Sequence, residues 1–585
     1  MSKWVVINKK ADFAGIGKKY GIDQVTARVI RNRDVIGEED IARYINGSLE
    51  DLYDPHLLKD GTSLATMLSQ AIDEGKNIRV IGDYDIDGVM SSHILFTALK
   101  RCGAKVSVAI PERVKDGYGL NINLIDEAFE DKVEVIITCD NGIAAINEID
   151  HAKKLGMTVL VTDHHEIPFV EENGVRTYVK SKADAVVNPH QKECEYPFKN
   201  LCGAAVAWKV VQLLYERCGK DVTESYEFLE NVAFATVGDV MPLLGENRIL
   251  VKEGIKRICK TQNAGMHALI ERCQLEQDKI DAYHFGFVLG PCINASGRLD
   301  TARRALMLFS EESHTKALEI ADELVSLNEQ RKSLTQHGVD EAIRQYEELY
   351  SDDRVVVIFL PDVHESIAGI IAGRVRERYY KPTFVLTRSE NEVKGSGRSI
   401  EEYSMYEEMT KCKDLFLKFG GHPLAAGLSI REEDVDTFRQ RINEKCTLSQ
   451  EDMVEKVRID VPMPVSYVYM DLVRELNILA PFGKDNPRPI FADRNLSVTK
   501  LTILGKNSNV IRVGMVSQDG AFITAMLFKD AEGFLDYLRS KFGETELESA
   551  MSGRDNNILL SIVYTVKINS FRGNDSIQFE IQYYQ

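Results

Sequence analysis

Apolar positions along this chain follow three successive patterns. From Asn77 to about Asp239, short apolar runs ("IRVIG", "KVSVAI", "VEVIIT", "MTVLVT", "AVVN") alternate with stretches of helical spacing such as "AAINEIDHAKKLG". Runs of that length without internal alternation are buried on both faces, so the pattern predicts a parallel sheet flanked by helices. The stretch from "EESHTKALEIADELV" to "EELY" carries apolar residues at helical spacing with no Pro or Gly before Gly338, and predicts one long connecting helix. A second α/β block follows, with "RVVVIFL" and "PTFVLT" as strands around the helix "IAGIIAGRVRERYY". After "CTLSQED" the chain turns to β-rich runs, "LTILG", "NVIRVGMV", "AFITAMLF", "ILLSIVYTVKI" and "IQFEIQYY", which predict a small barrel or sandwich. The first sixty or so residues read as polar and helical, with "EEDIARYI" as a short capped helix and no visible chemistry.

The expected fold class is therefore α/β, with a larger parallel-sheet domain and a smaller α/β domain joined by a long helix, then a C-terminal β-barrel. The expected boundaries are an N-terminal helical region 1–70, domains at 71–305 and 351–452 with the helix 306–350 between them, and the β domain 453–585. A length of 585 residues requires several cores. No apolar run approaches the length of a membrane span, and "MSKWVVINKK" lacks the apolar stretch of a secretory signal. Ten cysteines without a CxxC pair indicate neither a zinc ribbon nor a disulfide framework, and the expectation is a cytoplasmic protein. A net charge of −18 argues against a general nucleic-acid coat, yet a basic groove can sit on an acidic protein.

Chemistry collects where the strands end. "NIRVIG" leads into Asp83, Asp85 and Asp87, "VEVIIT" into "CDNG" with Asp140, and "MTVLVT" into "DHHE" with Asp163, His164 and His165. In an open α/β sheet those carboxyl ends face one crevice, where ligands bind. Asp239, after the apolar stretch "VAFATVG", is a fourth candidate. Each aspartate alone reads equally well as the cap of the next helix. Together they do not, because carboxylates about 4 Å apart repel by about 4 kcal/mol per pair at an effective dielectric near 20, beyond what marginal stability absorbs. A cation is required, and oxygen donors with imidazole and no thiolate suit Mn2+ or Mg2+. His93 and His151 read as ordinary helix residues and Glu166 as solvated.

The motifs "GDYDIDG", "CDNG", "TDHHE", "GDVMPL" and "GPCINASGRL" resemble the successive motifs of the DHH phosphoesterase superfamily. "HESIAGIIAGR", "GSGRS", "GGHPLAAG" and "LAPFGKDNPRP" are similar to the DHHA1 and OB-domain motifs of its bacterial single-strand-specific exonucleases. The resemblance implies a DHH domain, a DHHA1 domain and an OB fold, and a two-metal phosphodiesterase that degrades single-stranded DNA from the 5′ end in repair and recombination. Carried over by residue, it implies that Asp85 holds one metal and Asp87 the other, that Asp140 bridges them, that His164 and Asp239 complete the second site, and that His165 faces the scissile phosphate. Asp83 takes the place of a histidine that many members carry at the position of Ile81. Arg113 and Arg298 match positions that hold the 5′ phosphate, while Ser396, Arg398 and His422 fall in the implied nucleotide-binding loops. Cys292 stands where the family usually has arginine, and Asp485 where it usually has glycine. The partners implied are single-stranded DNA, a helicase and a single-strand-binding protein, with no membrane. Two other classes stay open: a DHH phosphodiesterase for short oligonucleotides or cyclic dinucleotides, and a binding protein whose site has decayed.

Overall fold

The computed structural model describes every residue except 1, 114, 173, 174, 390, 391, 506 and 572, together with the side chains of residues 171, 172, 175 and 571. It divides into two compact units, Ser48–Met453 and a second built from both chain ends, Met1–Gly47 with Val454–Gln585. Among the described residues, no helix is long and apolar enough to cross a membrane.

The first lobe of the Ser48–Met453 unit is built on five parallel strands in the order Lys105–Ala109, Asn77–Ile81, Val135–Cys139, Thr158–Thr162, Ala185–Val187. In chain order this is 2-1-3-4-5, the doubly wound arrangement whose order reverses beside the first strand. Val80, Ile137 and Leu160 point into one buried cluster and Ile81, Ile136, Val159 and Val161 into another on the opposite face. The expected unbroken apolar runs thus reflect a sheet covered on both sides.

The predicted connecting helix is a single 36-residue helix, His314–Leu349. Its N-terminal half contributes Ala317, Ala321 and Leu324 to the first lobe's core, and its C-terminal half gives Val339, Ala342 and Tyr346 to the second. The second lobe is a five-stranded mixed sheet, in which Val356–Phe359 runs parallel to Thr383–Arg388 and the strands Val393–Arg398, Ala425–Ile430 and Phe416–His422 follow antiparallel. This corrects one expectation. The stretches expected as nucleotide-binding loops are mostly strand: "KGSGRS" falls on the strand Val393–Arg398, laddered on both sides, and "FGGHPLAAG" on the hairpin strands Phe416–His422 and Ala425–Ile430 and the turn between them.

In the other unit, Phe491–Leu504, Val510–Val516, Phe522–Leu527, Asn574–Tyr584 and Leu559–Phe571 pair in that order, and the last closes onto the first as a five-stranded barrel. The N-terminal segment belongs to this unit. Lys3–Val6 pairs in parallel with Lys456–Ile459, and Arg33 binds Asp460 through two contacts of 2.6 and 3.1 Å.

Candidate active site

The reversal point of the first sheet lies between the strands Asn77–Ile81 and Val135–Cys139, and the acidic motifs follow those strands. Asp85 caps the helix Ile86–Arg101, accepting from the backbone amides of Asp87 at 3.0 Å and Gly88 at 3.1 Å. Asp87, fully buried, is gripped by a different helix: the amides of Gly203 and Ala204, at the start of Gly203–Arg217, donate to its two oxygens at 2.6 and 2.7 Å. Those amides are unpaired within their own helix, and the helix dipole favours an anion there. The approach requires glycine, because a Cβ at Gly203 would lie 2.7 Å from the Cβ of Asp140.

Asp140 sits in the left-handed region at φ 60°, which aspartate tolerates, and is 2% exposed. Nε2 of His164 lies 3.0 Å from Asp140 Oδ1, 3.6 Å from Asp87 Oδ2 and 3.7 Å from Asp239 Oδ2. Asp239 terminates the helix Leu229–Gly238. Two donor sets result, each with its ligand atoms within 4.8 Å of one another: Asp83, Asp85 and Asp140, and Asp87, His164 and Asp239. A third set of Asp140, His164 and His165 overlaps both. Three buried atoms at the centre, Asp83 Oδ2, Asp140 Oδ1 and His164 Nε2, have no hydrogen-bond partner, since the 3.0 Å contact between the last two is not aligned for one. Polar atoms buried without partners are costly unless something binds them. The donor chemistry fits a pair of hard divalent cations.

Electrostatics agree. Burial, then the charge of Asp85, pushes the Asp83 carboxyl up to about 8. Burial raises Asp85, with Asp87 adding to it, and holds Asp140 well above the usual range with help from Asp87 and Asp85. His164 is lowered by burial, which keeps a nitrogen lone pair available for a metal. Asp163 behaves differently: it accepts from the amides of Ile143, His164 and His165 and from His165 Nδ1 at 2.7 Å. Burial opposes a charge on His165, but the hydrogen bond and charge of Asp163 outweigh it and raise His165 to about 9. Asp163 therefore orients the histidine pair and is not itself a donor in the three sets.

Beside this centre lies a cavity of about 750 Å³, lined by Arg113 and Arg298 from the first lobe and by Lys394, Ser396, Arg398 and Lys418 from the second. Arg298 Nη1 donates to the Ser366 carbonyl at 2.5 Å, and burial, followed by the charges of Arg113 and Arg331, lowers it to about 10. Such crowding of guanidinium groups favours a bound anion. Arg398 reaches the cavity over Gly369, where a Cβ would stand 2.8 Å from its Nη2. Of the residues expected from the sequence, Arg113, Arg298, Ser396 and Arg398 converge here, whereas His422 ends an exposed strand at the hairpin tip outside the lining. Cys292 is buried with its Sγ 3.4 Å from Asn328 Nδ2 of the long helix, and Asn328 Oδ1 in turn accepts from Arg331. Arg331 thus brings a guanidinium close to the position where the sequence departs.

Sequence reading missed two tyrosines. Tyr118 donates to the Asp140 carbonyl at 2.8 Å and lies 3.1 Å from His165 Nε2. Tyr84, between two of the aspartates, carries the guanidinium of Arg113 over its ring at 5.0 Å. The only available hint was the "DGYG" and "DYD" context, which has no periodicity.

Three family profiles match the chain: the DHH family N-terminal domain over residues 77–236, the DHHA1 domain over 352–448 and the RecJ OB domain over 459–583. The single-stranded-DNA-specific exonuclease RecJ of Bacillus subtilis is 33% identical over 84% of this chain, which spans 61% of that protein's length. The RecJ of Escherichia coli is 30% identical over 95% of this chain and 94% of its own. The crystal structure of Thermus thermophilus RecJ in complex with Mn2+ superposes with a TM-score of 0.81 at 25% identity, covering 100% of this chain and 79% of that one.

Proposed function

As the chain belongs to the RecJ family, we propose that it is a metal-dependent exonuclease that removes nucleotides from the 5′ end of single-stranded DNA. The observation that carries this reading is the pair of donor sets, Asp140 of one 3.0 Å from His164 of the other, beside a cavity lined by arginines. In this reading Asp83, Asp85 and Asp140 hold one Mn2+ or Mg2+, and Asp87, Asp140, His164 and Asp239 hold a second. Bound there, two such ions supply an acidified water and offset charge on the scissile phosphate. The chain's own groups do the rest. Arg113, Arg298 and Arg398 take the 5′ phosphate through parallel N–H donors, which fixes the terminal nucleotide relative to the acidic centre. His165, tied at Nδ1 to Asp163, points Nε2 at the Tyr118 hydroxyl 3.1 Å away, and turns that donor to the phosphate when the strand is bound. Ser396 orients Arg398 from 3.2 Å.

The division of labour follows. Residues 71–305 carry the chemistry and share with 351–452 the hold on the 5′ nucleotide, joined by 306–350, while 453–585 grips the strand by stacking and backbone charge. The N-terminal region 1–70 contributes no reacting group. A helicase that opens duplex and a single-strand-binding protein are the partners such a cytoplasmic reaction calls for.

The test is digestion of single-stranded and duplex DNA labelled at either end, with Mn2+, Mg2+ or EDTA. Label released first from the 5′ end of single strands, and only with metal, is the expected result. Faster turnover of dinucleotides or cyclic dinucleotides than of long strands would move the protein to the other DHH phosphodiesterases.

A further inference from the structure

The most exposed large apolar side chain among the described residues is Phe287, at 71%, and Tyr283, one turn earlier, is 60% exposed. Their rings stack on each other, with centroids 5.0 Å apart and planes 23° from parallel. Single exposed apolar residues are ordinary, but two aromatic rings pre-stacked in water are not explained by packing. Their placement is informative. Tyr283 lies on the helical turn Ala282–His284 and Phe287 on the short π-helical segment Phe285–Leu289 that follows it, and both run on into the helix Gly290–Leu299, which carries Arg298. π-Helical turns cluster at functional sites. Tyr283, Phe287, Asn294 and Arg298 recur at roughly one helical face. Asn294 accepts from the backbone amide of Ile86, between Asp85 and Asp87, at 2.9 Å, and Arg298 lines the arginine cavity. At the other end the segment is anchored by Phe285, whose ring lies 5.3 Å from that of Phe234, on the helix that ends in Asp239. This one helical stretch therefore touches the acidic loop through Asn294, with the phosphate-holding arginine on one side and, on the other, Phe287 about 16 Å and Tyr283 about 22 Å along the axis.

We propose that Tyr283 and Phe287 form a stacking platform for the bases of the strand on the 3′ side of the scissile bond. The proposal rests on the reading above, with the 5′ nucleotide in the arginine cavity and the cleaved phosphate at the acidic centre. In that reading the uncleaved strand leaves on the Asp239 side, where the segment carrying the platform packs through Phe285 on the helix that Asp239 ends. A base face is the occupant that suits two parallel rings without a neighbouring charge requirement, and stacking of this kind tolerates any sequence. The pair acts by positioning the strand and touches no reacting atom.

Steady-state cleavage by the full chain is measured with Mn2+ on a 5′-phosphorylated oligodeoxynucleotide and on a series in which one abasic residue is moved stepwise inward from the 5′ end. The expected result for Phe287→Ala is about a five- to tenfold loss of kcat/KM on the intact strand, carried mainly by KM. In the wild type, an abasic residue at one particular position should cause a similar loss, and at that position the variant should lose nothing more. Phe287→Trp, which keeps a stacking face, should restore most of the affinity. Two results would overturn the platform: cleavage of the intact strand unaffected by Phe287→Ala and by Tyr283→Ala, or a loss that is the same whether or not a base is present, which would mean a contact to backbone or to another protein. A wild-type chain that leaves single strands uncut with Mn2+ would overturn the exonuclease reading, and the platform with it.

Discussion

At the scale of single residues, Asp140 carries the most. It belongs to the donor set of Asp83 and Asp85, and its Oδ1 is also the atom nearest His164 Nε2, at 3.0 Å. Asp140→Asn keeps the shape and suits the left-handed backbone at φ 60°. Cleavage should fall by at least about a hundredfold, since a metal pair is asked for several kcal/mol of barrier, while the metal-free protein should melt no lower because a repelling charge is gone. Retention of more than about a hundredth of wild-type activity would remove Asp140 from the bridging role. Arg398 carries the second prediction. Its guanidinium lines the cavity and donates to the Gly397 carbonyl at 2.7 Å, leaving other N–H groups for a phosphate. Arg398→Ala should cost about one to two decades in affinity for a 5′-phosphorylated strand, from a charge-assisted contact of roughly 1.5 to 3 kcal/mol. Arg398→Lys should recover only part, because lysine offers a point charge in place of two parallel donors. The loss should shrink on a 5′-hydroxyl strand, and equal losses on both would hand the end-sensing role to Arg113 or Arg298. The acidic residues were readable because several strand ends carried them at once. Tyr84, Tyr118 and Arg331 were not, since nothing in their local sequence says which way a loop tyrosine points or which face of a long helix meets the cavity.

Elements decide how such residues meet. The order 2-1-3-4-5 could not be read from apolar runs, which give strand count and burial but not neighbours. It is this order that sets the strand before Asp83 beside the strand before Asp140. Intrinsic preference also misleads locally. "KGSGRS" is poor in strand formers, yet neighbours on both edges hold it as a strand, because pairing in a sheet outweighs propensity. Gly338 lies inside the long helix for a comparable reason: a Cβ there would stand 2.4 Å from Ile371 of the packed helix Glu365–Tyr379, so closeness offsets a helix cost of about 1 kcal/mol. The helix Gly203–Arg217 yields a prediction at this scale. Gly203→Ala places a methyl group 2.9 Å from the Asp140 backbone, and either the helix start or the acidic loop must shift. Overpacking of this sort costs about 1 to 3 kcal/mol. A shifted helix also withdraws two amides from Asp87, so activity should fall by more than stability accounts for at a temperature where the variant remains folded. Thermal melts alongside Mn2+-dependent cleavage measure both; a variant that is destabilised but fully active would show that the amide grip on Asp87 is only structural.

For the molecule as a whole, the chain's two ends form a single unit, a pairing that no local pattern could reveal because its contacts join residues more than four hundred positions apart. Asn32 Nδ2 reaches the Asp460 carbonyl at 3.0 Å, Tyr44 donates to Asn486 Oδ1 at 2.8 Å, and the Arg33–Asp460 pair has side-chain exposures of 4% and 3%. Removing one partner of a buried pair costs about 3 to 5 kcal/mol, much of it the penalty for the stranded charge. Arg33→Ala should therefore destabilise the barrel-containing unit even though Arg33 lies far away in sequence. Deleting the C-terminal residues 454–585 alone should leave Met1–Gly47 without its partner strand and its counter-charge, and that segment should become protease-sensitive. The fragment Ser48–Met453 keeps whole the buried clusters of both lobes. It should fold, and it should cleave a saturating short oligonucleotide within about tenfold of the full chain, because the donor sets and the arginine cavity all lie within it. Its affinity for long single strands should drop by a decade or more, in line with stacking and backbone contacts worth about 1 to 3 kcal/mol per base. The measurement is cleavage of short and long strands by both proteins, with limited proteolysis as the folding control. An equal loss on both substrates by a folded fragment would mean that the barrel-containing unit serves catalysis and not only the grip on the strand.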